Sequence, residues 1–278
     1  MNESSDTLDP ETFLIDTHCH IHDAAFNERF KGMSPDEMIV AARAAGVKRF
    51  ICVGTDVASS RQALEFCAKR QGCFASIALH PHEAEKLDEA ALEQAIQELR
   101  ELACTDRSKL VAVGECGLDY FYHDDPKTHK KQDFLLRKHL DLAVELDLPV
   151  IFHVRDAFSE FFKIVDEYEG VRGVVHSFTS TPDVLKEVLQ RGLYVGLNGI
   201  ITFTRDELQL RAAKEAPLGR IVVETDAPFL TPAPFRGTMC QPKHVVVTAE
   251  FLSGLRGENI THFASQTTQN AQQLFGLS

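Results

Sequence analysis

Short apolar runs and longer mixed stretches alternate from one end of the chain to the other. The apolar runs are rich in Val, Ile, Phe and Leu and have the length of strands, and the stretches between them have the length of helices. The predicted strands lie near residues 13–21, 49–54, 73–80, 110–116, 149–154, 173–178, 193–198 and 220–226. The predicted helices lie near 34–45, 57–70, 88–102, 128–147, 157–169, 181–191, 205–215, 242–255 and 258–274.

Eight predicted strands, each followed by a predicted helix, indicate an α/β protein of the (β/α)8 TIM-barrel class. The 278 residues suffice for one such barrel, and we predict a single domain over residues 1–278, with 1–11 as a flexible N-terminal extension. Ser34 and Thr181, each followed by proline, are predicted helix N-caps. An open doubly wound sheet is the alternative, but no G-x-G-x-x-G turn follows the first predicted strand.

Charge and cysteine content narrow the choice of function. A net charge of −12 argues against a protein that binds nucleic acids over a broad basic face, but it is compatible with a polyanionic substrate held locally by metal ions and a few arginines. The seven cysteines form no C-x-x-C pair, which indicates reduced thiols. No apolar run approaches the roughly 20 residues of a membrane-spanning helix, and the acidic N-terminus lacks the pattern of a signal peptide. We therefore predict a cytoplasmic protein, and a monomer because one barrel can be complete by itself.

Six side chains that can bind metal ions follow predicted strands. They are His18, His20, Glu115, His153, His176 and Asp226. The active site of a parallel barrel lies at the C-terminal ends of its strands, so these side chains are expected to converge on one site. Alternate residues of a strand face the same side. This parity pairs His18 with His20, Val113 with Glu115, and Glu224 with Asp226.

The predicted ligands offer imidazole nitrogen and carboxylate oxygen but no thiolate, which favours an open catalytic metal site over a structural zinc site. Six ligands exceed the three that typically hold one catalytic zinc ion, so two ions that share a carboxylate fit better. Glu115, midway in the strand order, is the predicted bridge. Two such ions activate a water and neutralise a phosphate oxygen. Their identity stays open among Mg, Mn, Zn, Co and Ni.

Several motifs connect these residues to a known family. The runs DTHCH, GECGLD, HVRDA, HSF and ETDAP, together with ALHPH at 78–82 and the closing NAQQLFGL, resemble the TatD family of metal-dependent deoxyribonucleases from about Leu14 to Phe275. The resemblance implies a TIM barrel, divalent metal ions and hydrolysis of phosphodiester bonds in DNA, often from the 3′ to the 5′ end. Glu115 stands where many related amidohydrolase barrels carry a carboxylated lysine, which favours the nuclease branch.

The resemblance also implies a role for each ligand. The first ion would be held by His18, His20, Glu115 and Asp226, and the second by Glu115, His153 and His176. Asp226 would orient or deprotonate the attacking water, and Arg155 would contact a phosphate. In the mechanism that we infer from these roles, a water or His80 would protonate the leaving 3′-oxygen. His80 ends the third predicted strand, and a position in the core is the alternative for it.

Four further side chains have open roles. Arg236 either grips a second phosphate or fixes its loop through a salt bridge. Phe203, Tyr120 and Tyr122 lie in predicted loops near the mouth of the barrel, where packing at the rim is favoured over stacking on a nucleobase. The sequence pattern alone does not decide these roles.

Together, these observations predict a divalent-metal-dependent hydrolase that cleaves phosphodiester bonds in DNA, as a 3′-5′ exodeoxyribonuclease acting on single strands or ends. A metallohydrolase of an ester or amide, such as an aminoacyl-tRNA ester, is the first alternative, because it would use the same metal chemistry and the acidic chain suits a small substrate. A non-catalytic scaffold is the second alternative, and it is disfavoured because no ligand position is lost.

Overall fold

Parallel strands that pair in chain order form the centre of the fold. The computed structural model describes residues 11–29, 32–105, 107–122 and 125–277. All neighbouring strands from β1 to β8 are hydrogen-bonded in parallel, and a bridge between Cys19 and Ala227 closes the sheet into a barrel. The strands are β1 Leu14–Cys19, β2 Val47–Val53, β3 Cys73–Ile77, β4 Leu110–Asp119, β5 Val150–Arg155, β6 Gly173–Val175, β7 Tyr194–Leu197 and β8 Ile221–Val223. The predicted (β/α)8 barrel is therefore confirmed.

Helices surround this barrel and connect its strands. They are α1 Ala24–Arg29, α2 Pro35–Ala44, α3 Val57–Ala68, α4 Glu83–Lys86, α5 Glu89–Thr105, α6 Pro126–Leu146, α7 Phe158–Val165, α8 Pro182–Gln190, α9 Glu207–Glu215, α10 Val245–Arg256 and α11 Ile260–Phe275. Ser34 and Thr181 cap α2 and α8 as predicted, because their hydroxyls accept the amide hydrogens of Glu37 and Val184. The short helices α1 and α4 were not predicted, since six and four residues show no helical periodicity.

Several predicted strands end earlier in the structure than in the sequence pattern. The strands predicted at 173–178 and 220–226 stop at Val175 and Val223. Ser177 and Asp226 have φ angles of +49° and +60°, which cannot continue a strand. Both segments therefore leave the sheet at the mouth of the barrel, where His176 and the Ser177 amide contact Glu224.

Two layers of apolar side chains hold the barrel. One layer lies between strands and helices, and the other fills the barrel, where Ile51, Ile151 and Val222 pack together and the end of α11 contributes Leu274 and Phe275. The barrel interior is thus filled by apolar side chains at its N-terminal end, and the predicted ligands follow the C-terminal ends of the strands. The predicted ligands lie at the opposite end, where a cavity opens.

One parity prediction is wrong. Val113 packs with the layer between strands and helices, and Ala112 packs inside the barrel. The pairing of β4 with β5 shifts between Gly114 and Cys116, so the alternation of faces restarts at Glu115. This irregularity turns the Glu115 carboxylate toward the barrel axis, although Val113 faces outward.

His139 of α6 is a buried histidine that supports the end of β3. Its Nε2 accepts the amide hydrogen of Leu79 at 2.9 Å, and its Nδ1 donates to the carbonyl of Leu135 at 2.8 Å. Both ring nitrogens are therefore satisfied in the neutral form. Burial lowers the pKa of His139 to about 4, so a proton on this ring would disrupt a position next to His80.

Acidification is expected to destabilise the fold through His139. The pKa of His139 is near 6.5 in the unfolded chain and about 4 in the folded chain. Between these two pH values the unfolded chain binds a proton that the folded chain does not bind, so acidification favours unfolding. The stabilisation is complete above about pH 6.5 and falls by about 2 kcal/mol at about pH 5. Urea unfolding in EDTA should show His139→Gln less stable than wild type near pH 7, and the gap should shrink by about 2 kcal/mol near pH 5. An unchanged gap would contradict this account.

The structure does not test the predicted extension, domain count, oligomeric state or location. Residues 1–10 of the predicted flexible extension lie outside the described residues. No helix in the described part of the chain combines the length and the apolar character needed to cross a membrane. The single domain, the monomeric state and the cytoplasmic location stay predictions. All seven cysteines are free thiols.

Candidate metal centre

A cavity of about 720 Å³ opens at the carboxyl ends of the strands. Five of the six predicted ligands line it, and the sixth, His18, is fully buried directly beside them. His80 and Arg155 also line this cavity, whereas Arg236 does not. The structure therefore brings together residues that are separated by more than two hundred positions in the chain.

Glu115 lies at the centre of the ligand cluster. Its Oε1 is 2.8 Å from His153 Nδ1, 3.0 Å from His176 Nε2 and 3.5 Å from His80 Nε2. Its Oε2 is 3.3 Å from His18 Nε2. The two oxygens of one carboxylate thus face imidazole nitrogens from four different strand ends.

Asp226 completes the other side of the cluster. Its Oδ1 is 3.3 Å from His20 Nε2 and 3.6 Å from His18 Nε2, and the two imidazole nitrogens are 3.2 Å apart. The Asp226 amide donates to the carbonyl of His18 at 2.8 Å. The backbone contact between the segments that follow β8 and β1 therefore positions the Asp226 carboxylate next to His18 and His20.

Hydrogen bonds behind the ligands set which nitrogen faces the cavity. His20 donates from Nδ1 to the carbonyl of Val53 at 2.9 Å, and His176 donates from Nδ1 to Glu224 Oε1 at 3.1 Å. A neutral imidazole that donates from one nitrogen presents a lone pair at the other. Both Nε2 atoms are thereby prepared to bind a cation.

His153 is oriented in the opposite sense. Its Nε2 lies 3.0 Å from Asp119 Oδ2, while its Nδ1 faces Glu115. Donation from Nε2 to Asp119 leaves the lone pair on Nδ1. His153 would therefore bind an ion through Nδ1, and the other histidines through Nε2.

The electrostatic field of the cluster favours positive charge. Burial alone would lower the pKa of His176, but the carboxylates of Glu115 and Glu224 outweigh it and raise the pKa well above its usual value. Burial alone would raise the pKa of Glu115, and the surrounding imidazoles, His176 and His80 foremost, instead hold it well below its usual value. The cluster therefore keeps Glu115 ionised, and the Glu115 and Glu224 carboxylates stabilise positive charge at His176.

The donor atoms fit divalent metal ions. Nitrogen and oxygen ligands lie about 2.0–2.2 Å from such an ion, so neighbouring donors of one ion are about 3.0–3.4 Å apart. The donor separations around Glu115 and Asp226 span 2.8 to 3.6 Å. Two groups whose donor atoms lie within 4.8 Å of one another, His18–His20–Glu115 and His80–Glu115–His153, share Glu115. Residues of this cluster can therefore hold a metal ion on either side of that carboxylate.

The match to a family model decides the identity of this fold and site. The model for TatD related DNase matches residues 15–276. The chain belongs to the TatD family. It is 34% identical over 267 residues to the metal-dependent hydrolase YabD of Bacillus subtilis, which covers 95% of this chain and 100% of that relative. It is 35% identical over 250 residues to the 3′-5′ ssDNA/RNA exonuclease TatD of Cronobacter sakazakii, with 86% and 91% covered.

A solved structure gives the same result for the TatD fold. The TatD homolog YJJV from Escherichia coli K12 superimposes with a TM-score of 0.85 at 28% identity and covers 95% of this chain and 98% of that one. The predicted enzyme class is therefore confirmed: this TatD-family chain is a metal-dependent hydrolase. The alternative of a non-catalytic scaffold receives no support.

Two carboxylates of this TatD-family site were not among the predicted site residues. Asp119 accepts hydrogen bonds from His153 and from His82, and Glu224 accepts from His176 and from the Ser177 amide. Spacing contained a signal for both, because Asp119 follows Glu115 by four positions and Glu224 precedes Asp226 by two. Their role behind the ligands depends on contacts between different strands.

The two predicted phosphate-contacting arginines differ in position. Arg155 lines the cavity, and its guanidinium carbon lies 3.7 Å from the centre of the Phe121 ring. Arg236 lies 3.8 Å from the Phe203 ring centre and donates to the carbonyl of Thr231 at 3.0 Å. The structure favours a loop-fixing role for Arg236, through a backbone carbonyl rather than the salt bridge that was considered.

His80 is not enclosed in the core. Its Nδ1 accepts the amide hydrogen of His82 at 3.2 Å, so the neutral ring carries its hydrogen on Nε2, which points toward Glu115. Burial lowers the pKa of His80 to about 4. The ring is therefore neutral at neutral pH and acts as a hydrogen-bond donor toward the cavity.

Proposed function

We propose that this protein hydrolyses phosphodiester bonds in DNA and removes nucleotides from the 3′ end of single strands. The observation that carries the proposal is the position of Glu115, whose two oxygens face imidazoles on both sides, as expected of a carboxylate that bridges two metal ions. The name of the Cronobacter sakazakii relative supports the choice of substrate.

Two divalent ions fit the donor set. His18, His20, Glu115 and Asp226 would hold one ion, and Glu115, His153 and His176 would hold the other. When bound, such ions lower the pKa of a water and neutralise charge on a phosphate oxygen. The absence of thiolate ligands agrees with Mg, Mn, Zn, Co or Ni, and availability selects among them.

The side chains of the chain supply the remaining steps. Asp226, at the mouth of the cavity, orients the attacking water and accepts its proton. Arg155 binds a non-bridging phosphate oxygen with its guanidinium, where charge develops in the transition state. His80 donates a hydrogen bond from Nε2 toward the leaving 3′-oxygen. A solvent water supplies the proton to that oxygen, because the low pKa of His80 leaves its ring neutral.

A metallohydrolase of an ester or amide, such as an aminoacyl-tRNA ester, is the alternative. A cavity of about 720 Å³ lies in the range of small-molecule sites, and the net charge of −12 repels long polyanions. Both features favour a substrate, or the end of a substrate, that enters a pocket. They are less favourable for a duplex lying across the surface.

Purified protein with 5′-labelled single-stranded DNA and Mg²⁺ or Mn²⁺ tests the proposal. We expect a ladder that shortens from the 3′ end and disappears when EDTA removes the ions. A blunt duplex of the same sequence should be degraded more slowly. An intact labelled strand, incubated with protein that demonstrably binds two metal ions, would overturn the nuclease proposal and direct the search to esters and amides.

A further inference from the structure

Two exposed aromatic side chains stand side by side at the rim of the cavity. Phe121 is 54% exposed and Tyr122 is 59% exposed, directly after β4. Among the described residues, the large apolar side chains with such exposure are Val40, Phe121, Tyr122, Val144, Leu208 and Phe235. The first two aromatic members of this set are adjacent, and Tyr122 lines the cavity. Exposed aromatic groups at the mouth of a site indicate a surface that contacts a ligand.

Arg155 joins these two rings into one surface. Its guanidinium carbon lies 3.7 Å from the ring centre of Phe121 and 4.9 Å from that of Tyr122, and the two rings are perpendicular. No ion pair links Arg155 to a carboxylate within the described ranges, although the chain has 41 acidic residues. The cation is therefore held by ring faces and keeps its N–H groups available for an anion.

The same surface is tied to the metal centre. Asp119 accepts the amide hydrogens of Phe121 at 3.1 Å and Tyr122 at 3.3 Å, and it also binds His153. The Tyr122 ring meets His82 edge-on, with centroids 5.4 Å apart, and His82 lies 3.1 Å from Asp119. One buried carboxylate thus fixes both a predicted metal ligand and the two rim aromatics, so their relative position is preserved.

We propose that Phe121, Tyr122 and Arg155, here called the rim platform, bind the nucleotide next to the scissile phosphate of a single-stranded DNA. Arg155 pairs with the scissile phosphate, as in the proposed function, and the exposed ring faces stack on the base of the adjoining nucleotide. This inference rests on the proposed function. The bases inside a duplex are already stacked on one another, so a single strand offers base faces that the interior of a duplex does not.

The charge of the protein makes stacking important. An acidic chain gains little affinity from the phosphate backbone, which supplies most of the binding in basic nucleic-acid-binding proteins. Stacking of one base on an aromatic side chain changes affinity by about 5- to 150-fold and does not depend on sequence. The rim platform therefore accounts for how an acidic enzyme holds a strand end without a basic face.

Abasic substrates and a paired alanine variant test the rim platform. The metal-loaded enzyme would be given 5′-labelled oligothymidylates that carry a stable abasic residue at one of the last positions before the 3′ end. In wild type, the abasic residue at one position should raise KM at least about tenfold. In the Phe121→Ala, Tyr122→Ala double variant that penalty should fall to nearly none, because the stacking partner is gone.

Phe235→Ala is the matched control, because Phe235 is 44% exposed, stacks on His244 and does not line the cavity. It should keep the wild-type abasic penalty. A wild-type enzyme that tolerates abasic residues at every position would overturn the platform, and so would a double variant that keeps the full penalty. The wild-type result does not depend on the folding of any variant.

Failure of the proposed function is distinguishable from failure of this inference. If metal-loaded wild type cleaves no oligonucleotide, the proposed function fails, and the same oligothymidylates are used in fluorescence anisotropy binding. Binding that weakens at least about tenfold with one abasic residue, and equally with the double variant, would support the rim platform as a strand-binding surface. Equal binding of all these forms would overturn it.

Discussion

Replacement of Glu115 by glutamine is expected to lower hydrolysis by at least about 10³-fold and to reduce the number of bound metal ions. The substitution preserves shape but removes one of the two carboxylates, Glu115 and Asp226, that the proposed ligand sets contain. Four imidazoles face this one group, so its replacement removes the anion that they share at the centre of the cluster. The loss should appear in kcat, since the charge acts on the reacting centre.

Metal content and activity should be measured together for Glu115→Gln. Elemental analysis after dialysis gives ions per chain, and circular dichroism establishes that the barrel remains folded. Glu145→Gln is the matched control, because Glu145 is a surface carboxylate that pairs with Arg100 and is 48% exposed. It should keep both ions and full activity. A Glu115→Gln protein that retains two ions and more than about a tenth of wild-type activity would contradict the bridging role.

Replacement of Gly117 by alanine is expected to destabilise the protein by about 4 kcal/mol or more, or to prevent folding. Gly117 pairs with His153 across β4 and β5 and has a φ of +151°. A methyl group there would overlap the carbonyl oxygen of His153, which is backbone and cannot swing away. The two strands would therefore have to separate. Because they carry Glu115 and His153, their separation would also disrupt the candidate metal centre.

Gly254→Ala provides the control for this backbone substitution. Gly254 lies in α10, and a methyl group at that position meets no atom within 4 Å. Alanine should stabilise the helix there by about 0.5–1 kcal/mol. Urea unfolding of the two variants measures the contrast. Unfolding free energies of Gly117→Ala and wild type that agree within about 1 kcal/mol would contradict the packing argument.

The fold class and the candidate metal ligands could be predicted from the chain because both depend on local patterns. Apolar runs that alternate with helix-length stretches indicate buried parallel strands. In a barrel, the side chains that follow the C-terminal ends of those strands converge on one site. His18, His20, Glu115, His153, His176 and Asp226 were predicted on that basis, and the structure brings them into one cluster. Motifs in a fixed order supplied the family, which the family model confirms.

Side-chain orientation was less predictable where the strands are irregular. Parity paired Val113 with Glu115, but the register shift between Gly114 and Cys116 separates their faces. A shift depends on the neighbouring strand, so a rule that counts residues along one strand cannot anticipate it. The glycines at 114 and 117 are part of this irregularity, since added methyl groups would meet β5.

The sequence by itself determined the barrel, the elements that carry the ligands and the chemistry of the donor set, because each follows from residue type and spacing within short segments. Only the tertiary structure decided which nitrogen of each histidine faces the cavity, that Asp119 links His153 to the rim, and that Arg155 rests on Phe121 and Tyr122 while Arg236 fixes a loop. These features depend on contacts between strands and loops distant in the chain. Hydrogen-bond partners and exposed faces exist only once those segments have met.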